Sequence, residues 1–283
     1  MQRILVTGAT GNVGGQVVSQ LLTMGVNIRA MVRHPGSAHL PRQVEVMRGD
    51  LMSPESLAGC LEGVDAVFLV WAAPATGVVP ALERITKTVP RVVFLSNLTV
   101  RDDVEEQNYA VSDLHIGIER SIAASGVRWT FLRPGAFATN ARIWWARQIR
   151  GANVVRWPYA DAATSPIHEG DIAAVAVRAL CQDGHAGARY LLTGPASLTH
   201  REQIRILGEA IGRPLHYEEI APEVARREMT AIMPPAIADM LLGAWSNAAG
   251  RPAPVTATVA EITGRPARSF HEWAMDHTRE FQP

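Results

Sequence analysis

Apolar residues along this chain fall into two alternating patterns. Short apolar runs are followed by a turn, and then by stretches whose apolar residues lie three or four apart. Ile4-Leu5-Val6 leads in this way to Val13, Val17, Val18, Leu21 and Leu22. The run reads as a strand buried on both faces, and the spaced set as one face of a helix. The same strand pattern recurs over 27–32, 44–47, 66–70, 91–95 and 127–132. Between these lie helical stretches. One opens at Ser53-Pro54-Glu55, with Ser as N-cap and Pro in the first turn. Another runs from Tyr109 to Ser125 and closes at Gly126. Alternation from residue 3 to residue 132 predicts an α/β fold, a doubly wound parallel sheet of the Rossmann type.

Beyond Asn140 the order changes. Helices are predicted over 143–149 and 172–180, the second with Asp171 at its start, and a strand near 190–193. Thr199-His200-Arg201-Glu202 is a capping box that opens a helix ending at Gly212. A short edge strand at 216–220, helix over 222–247, a Pro-rich break at 250–256 and a short amphipathic tail near 269–281 complete the chain. These pieces read as a lid without a core of its own. The predicted division is a dinucleotide-binding domain over 1–140 and a C-terminal substrate lid over 141–283. The lid is interleaved with the first domain and does not fold independently.

The most informative stretch is Gly8-Ala9-Thr10-Gly11-Asn12-Val13-Gly14, set between the first strand and the first helix. Glycines in such a turn let the backbone approach a pyrophosphate. The helix start then offers N–H groups and a positive dipole end. The spacing is G-x-x-G-x-x-G, and the strand–turn–helix context is what gives it weight. In such a unit the end of the second strand meets the adenosine ribose. An acid there selects NAD, and a basic residue accommodates the 2′-phosphate of NADP. No Asp or Glu precedes Glu45, and Arg33 stands at that strand end with Arg29, His34 and Arg42 nearby. The expected cofactor is therefore NADP(H). The carboxyl ends of the fourth and fifth strands place Trp71, Ala72 and Ser96 at the crevice.

Composition narrows the field. Charges balance at 27 basic and 27 acidic residues. Nothing suggests bulk attraction to nucleic acid or to a membrane. The two cysteines read as free thiols of a reducing compartment, and with no signal peptide before the first strand the expected location is cytoplasmic. Nine scattered histidines and no clustered cysteines predict no metal site. Ser96, Asp113 and His115 could be written as a triad, but Asp113 and His115 lie two apart on a helix and face different ways. Trp144, Trp145 and Trp157 read either as core or as the lining of a pocket for a flat substrate. The outer helices leave a homodimer open.

These motifs resemble those of the atypical short-chain dehydrogenase/reductases, specifically the NmrA-like NAD(P)H-binding type. The resemblance rests on residues 7–14, on Gly49-Asp50-Leu51, on Ser125-Gly126 with Thr130-Phe131-Leu132-Arg133-Pro134, and on Asp171-Ile172-Ala173. It implies that Asp50 and Leu51 lie beside the adenine, and that Pro134 to Phe137 lie on the nicotinamide side. The group includes quinone reductases, isoflavone-type reductases and redox-sensing regulators without catalysis. Some members serve natural-product metabolism. Its usual Tyr-x-x-x-Lys is missing, since Val111 stands at the Tyr position and His115 at the Lys position. His115 could hold the nicotinamide ribose or donate a proton. The reading is an NADPH-dependent reductase of a quinone, an enone or a related conjugated aromatic carbonyl compound, with His115 and Ser96 as candidate catalytic groups. A non-catalytic redox sensor and a non-redox cyclase or isomerase are the alternatives.

Overall fold

A computed structural model describes residues 2–104, 106–107 and 109–282. The chain divides into two compact units. The first comprises residues up to Pro134 together with Glu169–Leu192 and Thr258–Arg265. The second comprises Gly135–His168, Thr193–Ala257 and residues from Pro266 onward.

The first unit contains β1 (Arg3–Thr7), α1 (Asn12–Thr23), β2 (Asn27–Val32), β3 (Glu45–Arg48), α2 (Leu57–Leu61), β4 (Ala66–Val70), α3 (Val78–Thr88), β5 (Arg91–Leu95), α4 (Ala110–Ala124), β6 (Arg128–Pro134), α6 (Glu169–Cys181), β9 (Ala188–Leu192) and α10 (Thr258–Thr263). Its strands form one parallel sheet in the order β3-β2-β1-β4-β5-β6-β9. The doubly wound fold is as the sequence pattern predicts. Helix α1 packs on α6, while α3 packs on α2 and α4, so both faces of the sheet are covered. Burial on both faces is why β4 is almost continuously apolar.

The strand near residue 190 and the helix before it lie in this sheet unit. The expected boundary at residue 140 gave them to the lid. The chain leaves after Pro134 and returns at Glu169 to lay β9 along β6, with Leu132 opposite Tyr190. A parallel neighbour needs a long crossover, and here the excursion supplies it.

The second unit contains α5 (Asn140–Gly151), β7 (Val154–Trp157), β8 (Ala163–Thr164), β10 (Leu198–Thr199), α7 (His200–Ala210), β11 (His216–Glu219), α8 (Pro222–Met229), α9 (Pro235–Ala248) and α11 (Phe270–Asp276). The predicted helix over 222–247 is two helices, because Pro234-Pro235 cannot continue α8 and instead opens α9. The expected capping box at Thr199 and Glu202 is present, and Ser269 and Glu272 form another. This unit also has an apolar cluster of its own, contrary to the expectation of a coreless lid. The cluster gathers Trp144, Trp145, Trp157, Trp245, Phe270 and Trp273 with aliphatic neighbours. Trp145 and Trp273 are 0 % exposed. Of the two readings of Trp144, Trp145 and Trp157, the core one holds. Their rings pack on one another, on Trp245 and on the buried His200. They bury area too large for solvent to keep.

Among the described residues both cysteines are free thiols, no metal-holding group of side chains occurs, and no helix is long and apolar enough to cross a membrane.

Candidate functional site

The sheet reverses winding direction between β1 and β4, which are neighbours although β2 and β3 come between them in sequence. Ligand crevices open at such a point, outside the carboxyl ends of the strands. Thr7 holds the two strand ends together. Its hydroxyl accepts from the Val70 N–H at 2.7 Å and lies 3.2 Å from the Phe68 carbonyl. The glycine turn follows. Gly8 has φ +62°, a conformation other residues avoid. Gly11 N–H donates to the Gly8 carbonyl at 2.9 Å and closes the turn. At Gly14 an added Cβ would lie 2.1 Å from the Gly8 oxygen, so helix and turn touch backbone to backbone. The N-cap residue, Gly11, has no side chain to cap α1, and the first turn of the helix carries no acid.

A cleft of about 240 Å³ opens over this turn. Among the residues expected at the cofactor, Gly8, Thr10, Arg33, Asp50, Leu51 and Ala72 line it. Asp50 is fixed in place: its carboxylate accepts from the Met52 N–H, and its own N–H donates to Ser56 Oγ. Arg33 is exposed and makes no ion pair among the described residues. Arg29, its neighbour in sequence, is engaged elsewhere. It grips Glu45 through two bonds of 2.9 and 3.0 Å and donates to the carbonyls of Gly59, Cys60 and Glu62 at the end of α2. That pairing holds the Glu45 carboxyl below its usual range. Only Arg33 of this pair is left for a ligand.

Trp71 does not line this cleft. It is buried in the apolar cluster beneath the sheet, and its indole N–H donates to the Ala73 carbonyl at 2.7 Å. Side chains alternate along a strand, so the next position, Ala72, takes the cleft side, with Ala73 and Pro74 after it. Met31, Val32 and Met52 also line the cleft, though the sequence reading did not single them out. Met31 and Val32 follow from one rule, since they end β2, and Met52 lies in the turn that follows β3.

Gly11, Asn12, Val13 and Gly14 complete the turn and begin α1, and none of them lines this cleft. Pro134 ends β6, where its carbonyl accepts from the Leu98 N–H. Phe137 belongs to the second unit, where it bridges to Ile167.

The end of β5 carries the other candidates. Ser96 is 3 % exposed, and its hydroxyl has no partner among the described residues. An orphaned buried hydroxyl is costly unless a ligand supplies the bond. His115 stands on α4 with its ring edge against Phe94, and Asn97 Nδ2 lies 2.7 Å from its Nδ1. Burial pushes its pKa down to about 4. No hydrogen bond joins Ser96 to His115. Asp113 instead accepts from the Gln107 N–H, so no triad forms.

The loop between β5 and α4 is anchored from below. Arg133, at the end of β6, makes bonds to both Glu119 of α4 and Asp102 of the loop. Glu119 is 1 % exposed. Arg133 holds the Asp102 carboxyl below its ordinary range. Arg189 on β9 adds charge beside Asp102, over the ring of Trp129.

Among the described residues the site thus has a glycine turn closed by its own backbone, an unpaired arginine at the end of β2, a carboxylate fixed at Asp50, an orphaned hydroxyl after β5 and a half-buried imidazole on α4. Those features fit a nicotinamide dinucleotide. Comparison with known proteins agrees. Residues 8–183 match the model of the NAD(P)H-binding family, and the chain belongs to that family. It is an NAD(P)H-dependent oxidoreductase. Over its whole length it is similar to the (4-alkanoyl-5-oxo-2,5-dihydrofuran-3-yl)methyl phosphate reductase of Streptomyces griseus, at 39 % identity over 99 % of both chains. It is also similar to the NAD(P)H azoreductase of Xenophilus azovorans, at 35 % identity over 98 % of this chain and 99 % of that one. The NADPH-dependent quinone oxidoreductase of Escherichia coli shares the fold, with a TM-score of 0.79 and 24 % identity over 96 % of this chain and 98 % of that one.

Proposed function

We propose that this chain uses NADPH to reduce an electron-poor conjugated acceptor: a quinone, an enone or a related conjugated carbonyl compound. The observation that supports this is that, among the described residues, neither Ser96 nor His115 offers a strong acid beside the end of β5. Val111 replaces the tyrosine of the family pattern. Burial holds His115 at about 4, so it is neutral at pH 7 and has no imidazolium proton to give. Ser96 is an ordinary hydroxyl, not an acid. A simple ketone needs a proton as hydride arrives, because a bare alkoxide is too basic. A conjugated acceptor spreads the charge over oxygen or nitrogen, and water can protonate it afterwards.

The named substrates of the relatives share this property. The dihydrofuranone in the name of the Streptomyces griseus relative has a C=C bond conjugated to a ring carbonyl and to an alkanoyl carbonyl. Hydride at the far carbon leaves an enolate spread over both oxygens. An azo bond or a quinone places the charge on nitrogen or oxygen.

Residues of this chain bind and orient. The turn over 8–14 and the start of α1 would hold the pyrophosphate, Arg33 the 2′-phosphate, and Asp50 with Leu51 the adenosine. Ser96 and the His115 ring would meet the nicotinamide half, where His115 donates one hydrogen bond. When bound, NADPH supplies the hydride to the acceptor carbon or nitrogen. The test is NADPH consumption against a panel of a quinone, an azo dye, an acyl-butenolide and a saturated ketone. Turnover of conjugated members with no turnover of the ketone is expected. Equal turnover of the ketone would refute the reading, and binding of NADPH without any consumption would favour a sensor.

A further inference from the structure

We propose that Asn97 is a positioning residue that locks His115 as the neutral tautomer with its proton on Nε2, and that Thr99 and Ser112 lock Asn97 in turn. The proposal rests on the reading of His115 as a hydrogen-bond donor given above.

The argument follows hydrogen atoms along one chain of bonds. The two ends of an amide look alike, and only their partners tell them apart. The backbone N–H of Thr99 points at one end of the Asn97 amide at 2.9 Å. A backbone N–H can only donate, so that end is the oxygen. The other end is therefore NH₂, and it faces His115 Nδ1 at 2.7 Å. An NH₂ group can only donate here, so Nδ1 accepts through its lone pair. A neutral imidazole then carries its single proton on Nε2.

The lock extends further. The Thr99 hydroxyl also bonds the Asn97 oxygen. That oxygen has no hydrogen, so Thr99 gives its own. Thr99 Oγ1 lies 2.6 Å from Ser112 Oγ. Having donated once, Thr99 can only accept there, so Ser112 donates. Ser112 is fully buried in the first turn of α4, three residues before His115. The direction Ser112 to Thr99 to Asn97 to His115 is thus fixed at every step, and it ties the end of β5 to α4.

The lock holds His115 neutral. Burial is the influence that moves its pKa, and no charged group contributes. Phe94 covers one edge of the ring. The charged groups nearest in sequence are committed elsewhere, Asp113 to Gln107 and Glu119 to Arg133. A protonated His115 would place an N–H against the NH₂ of Asn97, two donors facing each other. The consequence is selective: toward a ligand His115 offers Nε2–H, a donor that suits a ribose hydroxyl or a carbonyl oxygen.

The test is ¹⁵N NMR of the histidine-labelled protein without substrate, from pH 8 to 5.5. The expected spectrum of His115 is that of the neutral Nε2–H form across the range. A proton on Nδ1, or a titration midpoint near 6.5, would overturn the proposal. This measurement needs no variant. Asn97→Asp sharpens it, because a carboxylate accepts from Nδ1 and favours the imidazolium. That change should move the proton to Nδ1 and raise the His115 midpoint by roughly 1–3 pH units. An unchanged tautomer in Asn97→Asp would also count against it. Turnover is read separately: a confirmed tautomer with no loss of activity in His115→Ala would leave the lock standing and remove His115 from the proposed reaction.

Discussion

The carboxyl edge of the sheet has two working ends, built from different material. At the β1–β2 end the geometry is carried by backbone. Gly8 turns through a positive φ, Gly14 leaves no room for a Cβ, and the start of α1 follows directly on the turn. At the β5–β6 end it is carried by side chains. Ser112, Thr99, Asn97 and His115 form one hydrogen-bonded line, and Arg133 ties the loop to α4 through Asp102 and Glu119. Under the proposed function the first end would hold the pyrophosphate common to every NAD(P)H, which a backbone cradle suits, and the second would face the acceptor, where side chains are what substitution can alter.

The contrast can be broken first at Gly14. Gly14→Ala would place a Cβ 2.1 Å from a backbone oxygen that cannot move without reopening the turn. Unfolding by denaturant should show a loss of about 3 kcal/mol or more. A loss under 1 kcal/mol would mean that the turn is soft and the backbone account wrong.

Next comes the buried pair at the other end. Arg133→Met leaves the buried Glu119 with only Arg189, 3.9 Å away, among the described residues, and should cost roughly 3–5 kcal/mol. The double change Arg133→Met with Glu119→Leu should recover much of that, since no lone charge is left. A double variant as unstable as the single one would show that the charges themselves, not their pairing, hold the loop.

Arg33 tests the ribose end. Arg33→Ala should weaken NADPH binding ten- to hundred-fold, roughly 1.5–3 kcal/mol, and leave NADH nearly unchanged in calorimetric titration. Equal losses for both would remove the 2′-phosphate assignment.

A smaller effect follows from the histidines. His115 and His200 both have pKa values lowered to about 4, chiefly by burial. The unfolded chain binds their protons near pH 6.5, so it gains protons first as pH falls. Stability is therefore full above pH 6.5 and declines between 6.5 and 4. His115→Gln should flatten this decline, by at most about 1.4 kcal/mol per pH unit. An unaltered slope would mean that His115 is not held neutral.

The smallest expected change lies at Gly117, within α4. A Cβ there meets nothing within 4 Å. Gly117→Ala should stabilise by roughly 0.5–1 kcal/mol. Against Gly14 it separates a glycine that the fold requires from one that it merely tolerates.

The same contrast explains what could be read in the sequence. Burial on two faces shows as apolar runs, and a turn that needs glycine shows as glycine, so the sheet and residues 8–14 were legible. That Arg33 lines the cleft was legible because it stands at the end of the second strand. The second unit's core was not, because Trp144, Trp145, Trp157 and Trp245 meet only once the chain has folded across a hundred residues. Nor was the place of β9 in the sheet, since the strand itself was legible but its partner β6 lies on the far side of the excursion from 135 to 168. The role of Asn97 depends on which end of an amide faces which neighbour, and composition carries no trace of that. Residue types alone could list Ser96, Asp113 and His115 together. Their bonds in the folded chain separate them.

The central claim is that reduction here needs no acid from the protein. The direct measurement is the single-turnover rate of NADPH oxidation by a quinone, followed by stopped-flow absorbance from pH 5.5 to 8.5. The account predicts a rate that is flat across this range and slowed when the transferred hydrogen of NADPH is deuterium. A rate that falls tenfold per pH unit above a midpoint in this range, and loses that dependence in His115→Gln, would contradict it and make His115 the acid.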